Sequence, residues 1–267
     1  MSEFSGRTVL VTGASRGIGE ATAREFATLG AKVGLVARDP ERLRVLAAEL
    51  GPTAHAAAAD VAERDECARA IAEVTATLGP IDVLVSCAGD LQRDFVEDVK
   101  PADFERSWRV FVGGALWLTQ AVLPGMRERG YGRIVLVSSE LGLIGGPSYA
   151  SYCTSKWGLV GLAEVLYHEL AGSGVRACAV CPGDTSTDQM RAEAAWGPTG
   201  GTTVEKAMRP TRVARAIVRA AGGRKPVVVI DRQPLRAVFA ALGGPRWLSR
   251  KVVHGAYKPL LRSRGSG

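Results

Sequence analysis

Tyr152 and Lys156 stand four residues apart in a stretch with helical periodicity, and Ser139 precedes Tyr152 by thirteen residues. Side chains at a four-residue spacing share one face of a helix. Because a lysine ammonium favours the phenolate, we expect the pKa of Tyr152 to fall from about 10 toward neutrality, which suits proton exchange. The pair Tyr152 and Lys156 therefore predicts proton transfer at a substrate oxygen, and the Ser139 hydroxyl is a candidate to hold that oxygen. Tyr149 is the nearest competing phenol, but the residue four positions beyond it is Cys153.

A glycine-rich turn, TGASRGIG at residues 12–19, connects an apolar run to a helical pattern. Gly13 permits a sharp turn, Gly17 lets the backbone approach a pyrophosphate, and Gly19 lets helix and strand pack closely. Such a turn alone is a weak signal, but a strand before it and a helix after it are the context that a dinucleotide site needs. We therefore predict that this turn binds the pyrophosphate of a dinucleotide cofactor.

The end of the second apolar run bears on which dinucleotide is bound. An enzyme that uses NAD normally has an acidic residue there, which binds the ribose 2′-hydroxyl. In this chain the run ends in Ala37-Arg38-Asp39, so Arg38 can meet a 2′-phosphate through a forked, charge-assisted contact. Arg16 in the glycine turn approaches the same phosphate. We predict NADP(H), and interpret Asp39 as one half of a solvated Asp–Arg pair.

Seven short apolar runs alternate with longer helical patterns along residues 7–231. Because the runs are continuously apolar, we expect buried parallel strands with helices on both faces, a doubly wound α/β sheet of the Rossmann type. No linker divides residues 1–231, which are predicted to form one catalytic domain. The predicted strands are 7–12, 31–37, 53–59, 81–86, 132–138, 175–181 and 226–230. The predicted helices are 18–29, 41–50, 64–78, 104–129, 151–171 and 212–221.

These motifs resemble, in order and spacing, the short-chain dehydrogenase/reductase family over residues 5–231. The matching positions are the turn at 12–19, Asp60-Val61, the run 86–89, Ser139, Tyr152-x-x-x-Lys156 and Pro182-Gly183. The resemblance implies that hydride passes from a nicotinamide to a carbonyl carbon while Tyr152 protonates the oxygen, and that Lys156 also binds the nicotinamide ribose. It also implies a homodimer or homotetramer formed through the long helices 104–129 and 151–171.

The resemblance extends to individual cofactor contacts. It implies that Asp60 accepts a hydrogen bond from adenine and that Thr187 reaches the nicotinamide-side phosphate or carboxamide. No metal site is expected, because the pair Cys178-x-x-Cys181 lies in a strand-like run without a second pair of cysteines. The expected NADP(H) contacts are Gly13, Ser15, Arg16, Gly17, Ile18, Gly19, Arg38, Asp60, Val61, Ala88, Gly89, Tyr152, Lys156, Pro182, Gly183, Thr185 and Thr187.

Phe111 is a departure from the family's pattern. Aligned on Gly114 and on Thr119-Gln120, it occupies the position of a catalytic asparagine. Phenylalanine can neither bond the backbone nor hold the water that passes protons to the lysine. Either protons reach Tyr152 by another route, which we favour because the other catalytic residues are present, or the enzyme is slow.

The segment 184–210 has no clear periodicity and is predicted to be a lid loop over the site. It contains Met190, Trp196 and Met208, which suit a hydrophobic substrate or simply pack the loop down. Residues 182–187 are similar to the corresponding stretch of 3-ketosphinganine reductases, which act on long-chain ketones.

Residues 232–267 contain eight Lys/Arg and no Asp or Glu, so the net charge of +7 belongs to this extension and the rest of the chain is nearly neutral. Leu235, Val238, Phe239 and Leu242 follow helical spacing. We predict a basic amphipathic extension that covers the cleft or a neighbouring subunit. Contact with an anionic membrane surface is the alternative, whereas no base-reading motif supports binding of nucleic acid.

The composition, 46% hydrophobic and 23% charged, is that of a soluble globular protein. There is no run of eighteen apolar residues and no secretory signal, so we expect a cytoplasmic protein, with peripheral membrane attachment through 232–267 as the alternative. We predict an NADPH-dependent carbonyl reductase, or the same enzyme run as an alcohol dehydrogenase, whose small-molecule substrate is a hydrophobic ketone or alcohol. The competing hypothesis is an NADP(H)-binding sensor or scaffold with little turnover, which Phe111 supports.

Overall fold

The computed structural model describes residues 2–196 and 203–231. Its core is a sheet of seven short strands, most of them buried along their whole length. They are β1 (Thr8–Thr12), β2 (Lys32–Ala37), β3 (Ala54–Ala58), β4 (Val83–Ser86), β5 (Gly132–Val137), β6 (Val175–Pro182) and β7 (Val227–Ile230). All pair in parallel, in the order β3-β2-β1-β4-β5-β6-β7. The order reverses between β1 and β4, which opens a crevice at the carboxyl ends of the strands.

Helices cover both faces of the sheet. They are α1 (Gly17–Thr28), α2 (Pro40–Leu50), α3 (Arg64–Leu78), α4 (Pro101–Trp108), α5 (Gly114–Glu128), α6 (Ala150–Glu169), α7 (Asp188–Trp196) and α8 (Pro210–Gly222). The apolar sides of α1, α2 and α8 pack on one face, and those of α3, α5 and α6 pack on the other. The predicted doubly wound fold is confirmed, and each observed strand lies within two residues of its predicted bounds.

The helix predicted at 104–129 is wrong in one respect, because a π-helical turn, Arg109–Gly113, separates α4 from α5. Two adjacent glycines, Gly113 and Gly114, reduce the local preference for α geometry. Gly114 also allows α5 to approach the segment that follows β3, since a Cβ on Gly114 would lie 2.8 Å from the Val61 carbonyl oxygen. The turn places Val110 and Phe111 in the core.

The segment 184–210 is not wholly irregular, because it contains α7. The Thr187 hydroxyl accepts a hydrogen bond from the Met190 amide at 3.2 Å and so caps the start of this helix. None of the described helices is long and apolar enough to cross a membrane. The predictions about the extension 232–267 fall outside the described residues.

Candidate active site

A cleft of about 700 Å³ runs along the carboxyl ends of the strands, where the sheet order reverses. Its size is in the range of small-molecule and cofactor sites. The structure brings every predicted site residue to the wall of this one cleft: Gly13, Ser15, Arg16, Gly17, Ile18, Gly19, Arg38, Asp60, Val61, Ala88, Gly89, Ser139, Tyr152, Lys156, Pro182, Gly183, Thr185 and Thr187.

The glycine turn forms a cradle that larger residues would fill. Gly13 has φ +66°, and a Cβ on it would lie 2.8 Å from the Ala88 Cα, while a Cβ on Gly19 would collide with the Gly13 carbonyl oxygen. The Thr12 hydroxyl accepts hydrogen bonds from the amides of Cys87 (3.0 Å) and Ala88 (3.1 Å), which fixes the loop after β4 against the turn. This narrow backbone surface at a helix N-terminus fits the pyrophosphate of a dinucleotide.

Thr187 connects the cradle to the segment over the cleft. Its Cγ2 lies 3.3 Å from the position that a Cβ on Gly17 would take, so the threonine lies against the pyrophosphate turn. Its hydroxyl caps α7, as described above. Thr187, near the start of this segment, is therefore in contact with the end of the cleft that the glycine turn forms.

Two arginines, Arg16 and Arg38, are exposed at the end of the cleft next to β2. The Asp39 carboxylate beside them accepts a hydrogen bond from the Arg42 amide at 3.1 Å and pairs with the Arg42 guanidinium at 3.4 Å. Asp39 therefore caps α2 and forms the exposed Asp–Arg pair that the sequence suggested. Arg42 was not singled out from the sequence, although its place three residues after Asp39 is the spacing of such a cap.

Asp60 already has protein partners. Its carboxylate accepts a hydrogen bond from the Ala62 amide at 3.0 Å and one from Arg106 at 3.0 Å, and Arg106 also reaches Asp90 at 3.4 Å. Partial burial opposes the charge of Asp60, but these partners outweigh it and lower the pKa of the carboxyl. Asp60 thus faces the cleft as a carboxylate, and its contact with adenine stays a prediction.

Ser139, Tyr152 and Lys156 meet at the inner end of the cleft. The Ser139 hydroxyl is close enough to the Tyr152 phenol to favour its ionised form. Burial nevertheless raises the pKa of Tyr152 above its ordinary value, with a smaller opposing effect from Ser139. The sequence-based expectation of a lowered pKa is therefore wrong in this structure, because burial of the phenol outweighs its charged and polar neighbours.

Lys156 is 5% exposed, and its ammonium donates a hydrogen bond to the Val137 carbonyl oxygen at 2.8 Å. Burial lowers its pKa to about 8. The Lys156 nitrogen lies 5.4 Å from the centre of the Tyr152 ring, on the shared helix face that their spacing predicts. A cation that is easily deprotonated therefore lies beside a phenol that holds its proton firmly.

Phe111 completes this end of the site. Its ring is 2% exposed and lies 4.1 Å, centre to nitrogen, from the Lys156 ammonium. It also meets the Tyr152 ring edge to face, with centres 5.6 Å apart and planes at 85°. The side chain that departs from the expected asparagine is thus in contact with two of the three predicted catalytic residues.

A polar cluster that the sequence did not reveal lies next to Tyr152, whose ring centre is 6.1 Å from that of Tyr149. The Tyr149 hydroxyl donates to Glu193 on α7 at 3.1 Å, and the buried Arg93 guanidinium stacks on the Tyr149 ring at 4.6 Å and donates to the Ser148 hydroxyl at 3.0 Å. Ser148 has φ +65°, a left-handed conformation that is uncommon outside glycine. Burial raises the pKa of Glu193. These residues come from separate segments and form no motif along the chain, so no sequence signal joins them.

Apolar side chains line the cleft beside Tyr152. Leu141, Ile144 and Met190 face it, as does the acidic residue Glu140. Of these, the sequence singled out only Met190, which is buried. Among residues 2–196 and 203–231, no three His, Cys, Asp or Glu side chains are grouped so as to hold a metal ion.

The sequence of this chain matches a known protein family. The profile of the family described as short chain dehydrogenase matches residues 7–197. The chain belongs to the short-chain dehydrogenase/reductase family. It is therefore an oxidoreductase of a family that binds a nicotinamide cofactor, NAD or NADP. The cradle at the glycine turn fits this cofactor, because its backbone is open where a Cβ would block it.

Individual members of the short-chain dehydrogenase/reductase family are similar over most of the described chain. A short chain dehydrogenase of Pseudocercospora fijiensis is 36% identical over 192 residues, covering 70% of this chain and 62% of the relative, so the chain spans less than two thirds of it. A 3-oxoacyl-(acyl-carrier-protein) reductase of Rickettsia typhi is 33% identical over 188 residues, covering 70% of this chain and 76% of the relative. A solved structure assigned as a gluconate dehydrogenase, from Agrobacterium tumefaciens, has a TM-score of 0.77 at 28% identity, covering 85% of this chain and 95% of its own.

Proposed function

We propose that the chain is an NADPH-dependent carbonyl reductase that acts on a hydrophobic ketone and runs in reverse as an alcohol dehydrogenase. The observation that carries this proposal is the meeting of Ser139, Tyr152 and Lys156 at the inner end of a cleft whose outer end is the glycine turn. The relative from Rickettsia typhi is named as a reductase, which favours the reducing direction.

The raised pKa of Tyr152 suits the role of general acid. A phenol that keeps its proton at neutral pH can donate a hydrogen bond to a carbonyl oxygen and then transfer the proton as negative charge develops there. Ser139 donates a second hydrogen bond to the same oxygen and orients it. When bound, the nicotinamide supplies hydride to the carbonyl carbon. The Lys156 ammonium then stabilises the tyrosinate that proton transfer leaves behind.

Preference for NADPH over NADH rests on charge at the outer end of the cleft. Arg16 and Arg38 offer two guanidinium groups, and forked contacts of this kind suit phosphate. Asp39 would repel a 2′-phosphate, but its carboxylate is paired with Arg42. The net charge that a phosphate would meet there is positive.

The substrate class follows from the wall beside Tyr152. Leu141, Ile144 and Met190 offer an apolar surface on which the carbon skeleton of a ketone can lie. The similarity of residues 182–187 to 3-ketosphinganine reductases makes long-chain ketones the first compounds to test.

A cofactor-binding sensor or scaffold is the second candidate, and Phe111 favours it. An aromatic ring in the place of the family's asparagine removes a hydrogen-bonding group from the proton route to Lys156. Such a protein would bind NADPH tightly and turn over slowly, if at all.

The test is NADPH consumption with aliphatic, aromatic and long-chain ketones, repeated with NADH. We expect Tyr152→Phe to lower kcat by about 10²–10⁴-fold, the range of general acid catalysis, without weakening NADPH binding. Tyr167→Phe is the matched control, because Tyr167 lies on the same helix but does not line the cleft. Tight NADPH binding without turnover on any ketone would favour the sensor, and equal use of NADH would refute the cofactor preference.

We also propose that the chain forms a homodimer or homotetramer through α4, α5 and α6. These helices carry exposed apolar side chains, namely Phe104, Trp108, Leu116, Trp157, Val165 and Tyr167. Exposed aromatic groups in such number are typical of surfaces that another subunit covers.

A further inference from the structure

Phe111 is held rigidly at the centre of the site. It lies in the π-helical turn Arg109–Gly113, an element that is frequent at functional sites. Its ring packs edge to face with Tyr152 and lies close to Gly89, where a Cβ would come within 3.2 Å of the ring. The absence of a side chain at Gly89 is what makes room for the ring.

The Lys156 ammonium has few polar neighbours. It donates to the Val137 carbonyl oxygen, and no ion pair joins it to a carboxylate of the described residues. The titratable groups around it are the phenol of Tyr152 and the thiols of Cys87 and Cys181. Burial raises the pKa of Cys87 to about 11 and that of Cys181 to about 12, so both thiols are neutral at physiological pH.

Among the described residues, the Phe111 ring is the aromatic face nearest to this cation, with 4.1 Å between nitrogen and ring centre against 5.4 Å for the Tyr152 ring. An aromatic face attracts a cation through its quadrupole, and the attraction grows when both groups are removed from water. Phe111 and Lys156 are both almost fully buried. The geometry is therefore that of a strong cation–π contact.

We propose that Phe111 is a positioning residue, which holds the Lys156 ammonium beside Tyr152 and keeps it charged through the face of its ring. This inference rests on the proposed function and deepens it. An asparagine at this position would act through a hydrogen-bonded water, whereas the ring acts directly on the cation.

The Phe111 ring should raise the pKa of Lys156. Burial lowers the pKa of Lys156 to about 8, and the ring opposes that effect by stabilising the protonated form. Withdrawing electron density from the ring should therefore lower the pKa of Lys156 further. The lysine would then lose its charge at a lower pH, and the reduction rate would fall earlier on the alkaline side.

The test replaces Phe111 by 4-fluorophenylalanine and by pentafluorophenylalanine, which weaken and then reverse the quadrupole at nearly constant shape. We expect the pKa of Lys156, measured by NMR titration of lysine labelled at the ε position and assigned with Lys156→Arg, to fall stepwise by about 1 in all. The alkaline limb of the kcat/KM profile should move by the same amount. Phe111→Leu, which keeps an apolar side chain without a ring, should lower the pKa in the same direction.

Phe26 provides the matched control, because its ring is equally buried but packs on Phe4 and not on Lys156. Pentafluorophenylalanine at position 26 should leave the pKa of Lys156 unchanged. An unchanged pKa in the fluorinated Phe111 variants would overturn the inference, and the singly fluorinated variant decides the matter if the others fold poorly. Because the NMR titration needs no turnover, a shifted pKa in a chain that reduces no ketone would refute the proposed function and leave this inference standing.

Discussion

Lys156 is a cationic side chain in a buried environment that favours its neutral form. Its pKa is lowered to about 8 by burial, so the folded chain binds fewer protons than the unfolded chain between about pH 8 and the ordinary lysine value of about 10.5. The contribution of Lys156 to stability therefore rises with pH through this window. Below it, the buried charge is a constant cost to folding, which catalysis requires.

Replacing this lysine by an apolar residue should therefore stabilise the protein while abolishing turnover. We expect Lys156→Met to raise the free energy of unfolding by about 1–3 kcal/mol at pH 7, from a pKa shift at about 1.4 kcal/mol per unit. The gain should shrink as the pH rises from 8 to 10.5. Urea denaturation across this range measures it, with exposed Lys100→Met as the control. A loss of stability at pH 7 would contradict the argument.

Helix α7 is joined to two neighbouring loops by one polar cluster. The Arg93 side chain is buried, and its guanidinium donates to the Glu193 carbonyl oxygen at 3.2 Å and to the Ser148 hydroxyl. The same guanidinium stacks on the Tyr149 ring. The Tyr149 hydroxyl in turn donates to the Glu193 carboxylate. Groups from the loop after β4, from the loop before α6 and from α7 are thus joined at one point. The position of α7, and with it one wall of the substrate end, depends on this cluster.

We expect Arg93→Met to loosen α7. Because the change leaves buried acceptors without a donor, stability should fall by about 1–3 kcal/mol. Hydrogen exchange at 188–196 should become faster, and KM for the ketone should rise several-fold with little change in kcat. Arg191→Met is the control on the same helix, since its pair with Asp188 is exposed and contributes at most about 1 kcal/mol. Unchanged exchange in Arg93→Met would show that other contacts hold the helix.

Assembly can be tested separately from chemistry. If α4 and α6 form a subunit interface, a charge at Trp108 or Trp157 should divide the oligomer, because an unpaired carboxylate would be buried there. We expect Trp108→Glu and Trp157→Glu to shift the mass measured by light scattering toward the monomer. Val45→Glu, an equally exposed apolar position on α2, should leave the mass unchanged. A wild-type protein that is monomeric at micromolar concentration would contradict the proposed homodimer or homotetramer.

How far the sequence predicted the molecule depends on how local each feature is. The seven strands and the glycine turn are local patterns, since a buried parallel strand must be apolar along its length, and their places were predicted to within two residues. The residues around Tyr152 were grouped correctly because their spacing fixes a helix face. These features needed no knowledge of distant neighbours.

Features that depend on distant neighbours were not predicted. The π-helical turn at Phe111 interrupts a helical pattern that reads as continuous, and the cluster around Arg93 joins segments with no common motif. The direction of the Tyr152 pKa was wrong because burial, which raises it, is set by the packed structure, whereas only the neighbouring lysine is visible in the sequence. Electrostatics in the interior is a property of the fold, not of the motif.

The segment over the cleft is tied at its base by two backbone hydrogen bonds, from Ser186 to the Met208 carbonyl oxygen at 2.8 Å and from Met208 to the Asp184 carbonyl oxygen at 2.9 Å. Its ends are therefore fixed on the sheet side independently of what lies between them. Closing a longer or shorter insertion on a fixed base costs little, since each doubling of loop length adds about 0.6 kcal/mol. Residues of the segment beyond Thr187 can in this sense be exchanged, by evolution or by an engineer, while Thr187 and the catalytic residues keep their places.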